Sequence, residues 1–244
     1  MGKKVRYLVV IPTYNEAESI TSLLNRLEKV RHQTEEFDID ILLVDDNSPD
    51  GTAQIAENLS LANFQVLHRE KKEGLGPAYL AGFTWGLDRE YDFLIEMDAD
   101  NSHQPEELPN LLRASSTADL VIGSRWVPGG SVQNWPWQRV AISKFGTAYA
   151  ATLLRLPIKD LTSGYRVLSA RFLRQIPFRE VETHGYGFQI EMAMRAYDLG
   201  VVIKEVPITF IERAQGRSKM TSSIVREAFL SVTSWAIRRV FNRR

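Results

Sequence analysis

The sequence predicts an α/β fold with a mostly parallel sheet that is flanked by helices. Short apolar, β-branched runs alternate with helix-like stretches through the first half of the chain, and polar turn clusters follow several of the runs. Such alternation is typical of parallel strands joined by crossover helices. At 244 residues, the chain is long enough to bury one large core.

Apolar runs of strand length define the predicted sheet. The first run ends at Pro12-Thr13-Tyr14-Asn15, and the second ends at the turn cluster Asp45–Gly51. The fourth run leads into Asp98, and a loop rich in Gly, Pro and Trp, Gly123–Pro136, follows the fifth. Strands are predicted over Val5–Ile11, Ile39–Val44, Phe64–Leu67, Tyr91–Met97, Leu120–Ile122 and Val201–Val206.

Apolar residues at helical spacing lie between and after these runs. Pro77 suits the first turn of its helix, where its missing N–H costs nothing. The segment Lys159–Val167 is expected to be an irregular joint, and Glu212–Lys219 a polar, basic loop. Helices are predicted over Glu16–Val30, Thr52–Leu59, Gly74–Leu87, Pro105–Ala114, Arg139–Leu154, Phe188–Leu199 and Met220–Phe241.

Composition narrows the class of protein. The absence of Cys excludes a disulfide scaffold, a thiolate metal site and a cysteine nucleophile. No secretory signal is visible, and no apolar stretch approaches the roughly 20 residues that span a bilayer. We therefore expect a cytoplasmic location. The formal net charge is zero, yet the segment from Arg213 onward holds eight Lys and Arg against one acid, Glu227, so this arm is expected to meet something anionic.

The tripeptide Asp98-Ala99-Asp100 is the most informative motif. It follows a predicted strand, so both carboxylates are expected near the carboxyl edge of the sheet, where open α/β sheets bind ligands. A divalent cation can link such a pair to a diphosphate, because Mg²⁺ takes few protein ligands together with substrate phosphates. Asp pairs are also common in turns, so the surrounding motifs decide the interpretation.

Further motifs occur in one order along nearly the whole chain. They are Val9–Glu16, Val44–Thr52, Met97–Asp100, Gly123-Ser124-Arg125, Asp160–Arg166 and the residues Arg213, Gly216, Ser218 and Lys219. Together they resemble the glycosyltransferase family 2 enzymes, most closely the dolichol- or polyprenol-phosphate mannose synthases. The resemblance implies a GT-A (Rossmann-like) fold. It also implies inverting transfer of mannose from GDP-mannose to a polyprenyl (dolichyl) monophosphate.

The resemblance assigns a donor site to the first three motifs. Asp46 is implied to contact the ribose or the base. The residues that follow it, Asn47 to Gly51, are explained by turn formation and helix capping. Relatives carry Gln at the position of Ser102, so the third protein ligand of the metal stays open, and His103 is expected mainly as a hydrogen-bonding residue. The implied base-binding wall is Pro12, Tyr14 and Glu16; Asp98 and Asp100, with Ala99 between them, are implied to bind Mg²⁺ or Mn²⁺.

The resemblance also assigns an acceptor site. A phosphate monoester is already ionised, so it needs a cationic clamp rather than a strong base. Arg139 and Ser143 are separated by four residues and so share one face of their predicted helix. Glu191 is expected either to orient groups in the site or to form an ion pair in its helix. The implied clamp for the acceptor phosphate is Arg125, Arg139 and Ser143. On the donor side, Arg213 and Lys219 are implied to close over the diphosphate. The implied catalytic residues are Asp100, Arg125, Arg139 and Lys219.

The C-terminal segment 220–244 is predicted as an amphipathic, basic helix after a catalytic domain over residues 1–219. Two alternatives stay open for it, and they are compatible: it lies on an anionic membrane surface, or it packs on the catalytic domain or a second subunit. Its broad apolar face comprises Ile224, Val225, Ala228, Phe229, Val232, Trp235, Ala236 and Val240, with a smaller stripe at Leu230, Ile237 and Phe241. Expected partners are GDP-mannose, the polyprenyl or dolichyl phosphate, the cytoplasmic face of a membrane and a candidate membrane-anchored protein, with no nucleic acid.

Two rival functions remain at the level of sequence. One keeps the reaction type but uses another donor, such as UDP-glucose. It stays open because a single sequence does not reveal which base and sugar the site selects. The other is a non-catalytic module that binds a nucleotide sugar and a membrane. The carboxylate pair and the complete set of phosphate-clamp positions argue against the second.

Overall fold

The computed structural model describes residues 4–181, 185–212 and 222–241, and a seven-stranded sheet lies at its centre. The strand order is β3-β2-β1-β4-β7-β5-β8. Every neighbouring pair is parallel except those of β7, which is antiparallel to both β4 and β5. The strands are β1 (Arg6–Thr13), β2 (Asp38–Asp45), β3 (Phe64–His68), β4 (Phe93–Glu96), β5 (Leu120–Ser124), β7 (Arg166–Ser169) and β8 (Ile203–Pro207); β6 (Ser131–Gln133) and β9 (Thr209–Ile211) pair separately.

Helices cover both faces of the sheet. The helices are α1 (Ile20–Gln33), α2 (Thr52–Asn58), α3 (Leu75–Asp88), α4 (Leu108–Ser115), α5 (Trp137–Leu154), α6 (Ala170–Leu173), α7 (Gly185–Asp198) and α8 (Ser222–Phe241). Successive residues of a strand point to opposite faces, so Val10 belongs to the core formed with α3, α5, α7 and α8, while Val9 belongs to the core formed with α1, α2 and α4. A Cβ at Gly82 would lie 2.4 Å from Val10 Cγ1, so this glycine lets α3 approach the sheet closely.

The mostly parallel sheet and its flanking helices confirm the predicted fold class, with two local corrections. The expected irregular joint Lys159–Val167 ends in a strand, since β7 begins at Arg166 and inserts between β4 and β5. The expected loop Gly123–Pro136 contains β6, which pairs with β9. Both strands were missed because neither contains an apolar run of strand length: β6 has one apolar residue, Val132, and β7 has two, Val167 and Leu168.

Helix α8 packs on α5 and α7 through its described side chains. Val232 is buried, and Trp235 and Ala236 pack against the same core as α5 and α7. The Phe229 ring lies 4.5 Å from the ring of Tyr149 on α5. The broad apolar face thus turns inward over its described part, while Leu230 and Ile237 are exposed. The side chains of Ile224, Val225, Ala228, Val240 and Phe241 lie outside the described residues.

Within the described ranges, no helix combines the length and apolar character needed to cross a bilayer.

Candidate active site

The strand topology brings most of the predicted site residues to one edge of the sheet. Strands β1, β2, β4 and β5 all run in one direction, so their carboxyl ends lie together. Because β7 runs the opposite way, the segment that enters it, residues 160–165, arrives at that same edge. Residues from five separate parts of the sequence therefore meet here, as the binding rule for open α/β sheets anticipates.

Asp98 and Asp100, which we call the acidic pair, lie just after the end of β4. Both are half-buried, and Ala99 between them is buried. The backbone N–H of Ser102 donates to Asp100 Oδ1 at 3.0 Å. Asn101 adopts a left-handed conformation with φ of 60°, which turns the chain sharply after the pair. The acidic pair is therefore fixed by its own local turn.

His103 supports the acidic pair from within the protein. Its Nδ1 accepts the backbone N–H of Asp98 at 3.1 Å, and its Nε2 lies 3.7 Å from Asp98 Oδ2. Burial lowers the pKa of His103 to about 4, against the opposing attraction of the Asp100 charge, so the ring is neutral near pH 7. With Nδ1 accepting, the proton lies on Nε2 and faces the carboxylate. His103 is thus a hydrogen-bonding residue, as expected.

A third carboxylate lies beneath the acidic pair and was not predicted from the sequence. Glu96 is completely buried on β4, opposite Arg166 in the register, and its oxygens have no hydrogen-bond partner among the described residues. Burial raises the pKa of Glu96 to about 7, although the positive charge of Arg166 and the nearby Gln189 amide oppose the rise. The Arg166 guanidinium donates instead to the backbone carbonyls of Ser163, Gln189 and Leu161. The sequence signal that could have identified Glu96 is an acidic residue inside the apolar run that forms β4.

The predicted base-binding residues lie at the ends of β1 and β2. Lys72 Nζ lies 4.0 Å from the centre of the Tyr14 ring, so one face of that ring already holds a cation. Glu16 has a local role as well, because the Ser19 hydroxyl donates to its Oε2 at 3.2 Å. Pro12 is half-buried near the end of β1. These positions are compatible with a base-binding wall, which stays a prediction.

Asp46, at the end of β2, is buried and already engaged. Arg69 donates to its Oδ1 at 2.5 Å, and the backbone N–H of Glu73 donates to its Oδ2 at 3.2 Å. The neighbouring Asp45 accepts from Thr13 and Ser48, which explains it as a turn-forming residue. A ligand that approached Asp46 would therefore also meet Arg69.

Arg125 follows β5 and is bound to Asp160 on the segment that enters β7. The guanidinium donates to both carboxylate oxygens, with Nε–Oδ2 at 2.8 Å and Nη2–Oδ1 at 2.7 Å, and Nη2 also donates to the Thr162 hydroxyl. Both charged side chains are buried, at 4% and 0% exposure. Asp160 belongs to a quoted motif, but its partner was not predicted. The role of Arg125 in binding an acceptor stays a prediction.

Arg139, in the first turn of α5, lies over the ring of Trp135 with 4.2 Å from Cζ to the ring centre. Its Nη1 donates to Glu212, which directly follows β9. Ser143 is half-buried one turn further along α5, as the spacing predicted. The structure therefore brings Arg139 and Ser143 to one helix and adds an acidic neighbour, Glu212, that sequence analysis missed.

Aromatic rings join these two arginines into one group, which we call the cationic cluster: Arg125, Trp126, Trp135, Arg139 and Lys144. Arg125 Cζ lies 5.3 Å from the ring of Trp126 and 5.5 Å from that of Trp135. Lys144 Nζ lies 5.0 Å from the Trp126 ring. Cations near aromatic faces are attracted by the ring quadrupole, so these contacts hold the cluster together.

A thin aromatic layer lies between the cationic cluster and the acidic pair. The Phe210 ring is 5.3 Å from that of Trp135 on one side and 5.6 Å from that of His103 on the other. Since His103 contacts Asp98, one run of side chains connects the two charged groups. This arrangement suits a ligand that presents a metal-bound diphosphate at one end and an anionic acceptor at the other.

Comparison with known proteins identifies the family. The model for glycosyl transferase family 2 matches residues 8–177. The chain belongs to this family. A curated relative from Micrococcus luteus, undecaprenyl-phosphate mannosyltransferase, is 52% identical over 235 residues, covering 96% of this chain and 95% of the relative. Polyprenol monophosphomannose synthase from Mycolicibacterium smegmatis is 50% identical over 237 residues, covering 96% and 88% respectively.

Solved structures agree with the fold of this family 2 glycosyltransferase. Glucosyl-3-phosphoglycerate synthase from Mycobacterium tuberculosis, in complex with Mn²⁺, UDP and glucosyl-3-phosphoglycerate, superposes with a TM-score of 0.71 at 18% identity. The superposition covers 94% of this chain and 79% of that one. At this identity the likeness concerns the fold alone, and it supports the GT-A architecture.

The acidic pair of this glycosyltransferase fits a hard divalent cation. Among the described residues, no group of three or more His, Asp or Glu side chains is close enough to share a metal. Mg²⁺ commonly binds one or two carboxylates and completes its octahedron with substrate phosphates and water. Two half-buried carboxylates at a strand end are therefore suited to a cation that arrives with a nucleotide diphosphate.

The remaining predicted residues divide into two groups. Of the alternatives for Glu191, the ion pair is present, since Arg195 donates to Glu191 Oε1 through Nε at 2.9 Å and Nη2 at 2.8 Å. Arg213 and Lys219, predicted to close over the donor diphosphate, lie outside the described residues.

Proposed function

We propose that this glycosyltransferase transfers mannose from GDP-mannose to a polyprenyl (dolichyl-type) monophosphate, with inversion, giving polyprenyl phosphate β-mannose and GDP. The proposal draws its acceptor and its sugar from the names of relatives that are 52% and 50% identical over almost the entire chain. The structural observation that supports it is the position of the acidic pair and the cationic cluster on either side of His103 and Phe210.

On the donor side, Asp98 and Asp100 hold Mg²⁺ or Mn²⁺, which when bound neutralises charge that develops on the departing GDP. Arg213 and Lys219 share that task, and Lys219 assists the leaving group. The residues that bind the guanosine are Pro12, Tyr14, Glu16 and Asp46, with Ala99 beneath the diphosphate.

On the acceptor side, Arg125, Arg139 and Ser143 orient the phosphate monoester toward the anomeric carbon. An ionised phosphate oxygen is itself the nucleophile, so the site requires no general base. Attack from the face opposite GDP inverts the configuration. The Asp160 carboxylate fixes the Arg125 guanidinium, so this member of the clamp is ordered before the acceptor enters, while Glu212 neutralises part of the Arg139 charge.

The acceptor is reached from the cytoplasmic face of a membrane, to which the protein binds peripherally. Support comes from apolar side chains exposed on α5 and α8, close to the basic residues Lys144 and Arg238. Exposed apolar groups beside cations suit an anionic lipid surface. The exposed large apolar side chains are Trp137, Ile142, Phe145 and Leu153 on α5 and Leu230 and Ile237 on α8.

A single assay tests the reaction. Purified protein is incubated with radiolabelled GDP-mannose, a polyprenyl phosphate in detergent and Mg²⁺ or Mn²⁺, and label extracted into chloroform is counted. We expect extractable label that depends on both the phosphate and the metal. Mannose label transferred to a product that stays in the aqueous phase would indicate a soluble acceptor. If only a parallel reaction with radiolabelled UDP-glucose gave extractable label, UDP-glucose would replace GDP-mannose as the donor. Absence of any product would contradict catalysis.

A further inference from the structure

Three N–H groups of the cationic cluster are closed to solvent and have no hydrogen-bond partner among the described residues. They are Nε1 of Trp126, Nε1 of Trp135 and Nε of Arg139. Most buried donors in proteins are paired, because leaving one unpaired forfeits its hydrogen bond to water. Three unpaired donors in one cluster therefore call for an acceptor that the protein itself does not supply.

The three donors belong to one place in the fold. The Trp135 ring lies under Arg139, at 4.2 Å, and also 5.5 Å from Arg125 Cζ. Trp126 is the neighbour of Arg125 in sequence, and its ring is 5.3 Å from the same Cζ. Both indoles lie in the segment that joins β5 to α5, on either side of β6, so a displacement of this one segment opens both to an entering ligand.

The arginine charges of the cluster are already compensated. Arg125 is bound at both oxygens of Asp160, and Arg139 contacts Glu212. Lys144 has no acidic partner among the described residues, so the cluster keeps a net positive charge. An entering anion therefore gains only part of its binding from arginine charge, and the unpaired N–H groups are further donors beside Lys144.

A phosphate monoester matches this arrangement, because it offers three terminal oxygens that accept hydrogen bonds, whereas a diester offers two. We propose that the indole N–H groups of Trp126 and Trp135, together with Arg139 Nε, donate to the terminal oxygens of the acceptor phosphate and select a monoester over a diester. This inference rests on the proposed function, because it assigns two further specificity-determining residues to the acceptor site.

The test replaces each indole by a ring that lacks the donor. Trp126→Phe and Trp135→Phe keep an aromatic face for the neighbouring cation and remove the N–H. Binding of farnesyl monophosphate to the full chain is measured by calorimetry, with a farnesyl phosphate methyl ester as the diester probe. We expect each variant to bind the monoester about tenfold more weakly and to lose the preference over the diester. Trp85→Phe, on α3 over Arg89, is the matched control and leaves binding unchanged.

Two further measurements separate this inference from simple loss of structure and from the proposed function. Each variant should keep a single cooperative melting transition, since the deleted donor has no partner among the described residues, and GDP-mannose affinity should be unchanged. Monoester binding equal to that of the unaltered protein would overturn the inference even if mannose transfer is observed. Failure of the unaltered protein to bind farnesyl monophosphate would overturn both the inference and the acceptor assignment.

Discussion

The acidic pair and the cationic cluster lie a few side chains apart, but they are built in different ways. The acidic pair is held by contacts within residues 98–103, through the Ser102 N–H and His103. The cationic cluster is held by partners that are distant in the sequence: Asp160 is 35 residues from Arg125, and Glu212 is 73 residues from Arg139.

This difference indicates how each group should respond to mutation. A locally built group changes the chemistry when a member is replaced, while the rest of the fold is little affected. An assembled group depends on its buried long-range pair, Arg125 with Asp160, so loss of that pair costs stability as well as activity. Four substitutions test this contrast, beginning with the largest expected effect.

Replacement of Asp100 by Ala should reduce turnover by about 10³-fold, because the divalent cation loses a charged ligand. The rate is measured by chloroform-extractable mannose over a Mg²⁺ titration, and circular dichroism should report an intact fold. Asp100→Asn is the matched variant, since its amide oxygen can still accept from Ser102 N–H but carries no charge. Full activity of the Asn variant would show that the charge is unnecessary.

Replacement of Asp160 by Asn should lower the free energy of unfolding by about 3–5 kcal/mol, because it leaves the buried Arg125 charge without its counter-ion. Urea denaturation measures the change. The control is Glu36→Gln, which breaks an exposed pair with Arg113 and should cost no more than about 1 kcal/mol. If the two substitutions cost the same, the cationic cluster does not depend on this long-range pair.

Replacement of Arg139 by Ala should raise KM for the polyprenyl phosphate about 10- to 100-fold, since a charged hydrogen bond to phosphate is lost. GDP-mannose affinity, measured by calorimetry, should stay the same. Arg139→Lys should give an intermediate KM, because it keeps the charge but loses the planar fork. If Arg139→Ala instead lost affinity for GDP-mannose, the cationic cluster would belong to the donor site and the two assignments would be exchanged.

Replacement of Glu212 by Gln should lower KM for the polyprenyl phosphate about threefold. The Glu212 side chain is partly exposed, so its competition with the incoming phosphate for Arg139 is modest. Glu106→Gln is the control, because Glu106 pairs with Arg26, which is not a member of the cluster. A raised KM would mean that Glu212 positions Arg139 rather than competing for it.

The sequence predicted the elements that have a clear local pattern. Strands β1, β2, β4 and β5 and the helices between them follow from apolar run lengths and spacing, and so does the placement of the acidic pair at the end of β4. Strand β7 was missed because it contains only two apolar residues, Val167 and Leu168, which do not form a run of strand length. Its insertion between β4 and β5 is a matter of long-range pairing, which periodicity does not encode.

Sequence analysis identified the residues of the site more readily than the ion pairs that they form. Arg125 and Arg139 were singled out through the family resemblance, but no local rule links either to Asp160 or Glu212. Helix α8 illustrates the same limit: its amphipathic spacing suited both a membrane surface and a protein core. Contacts with α5 and α7 decide the orientation of the described part of its broad face, which turns inward.

The insertion of β7 has a consequence for how the protein is made. A nascent chain that has reached residue 124 holds β4 and β5, but the four residues that separate them in the sheet have not yet been synthesised. Until Arg166–Ser169 emerges from the ribosome, both neighbours expose unpaired backbone groups, which are templates for pairing with other chains. The second half of the sheet therefore closes only late in translation, and the cationic cluster is completed later still, when Glu212 has been made.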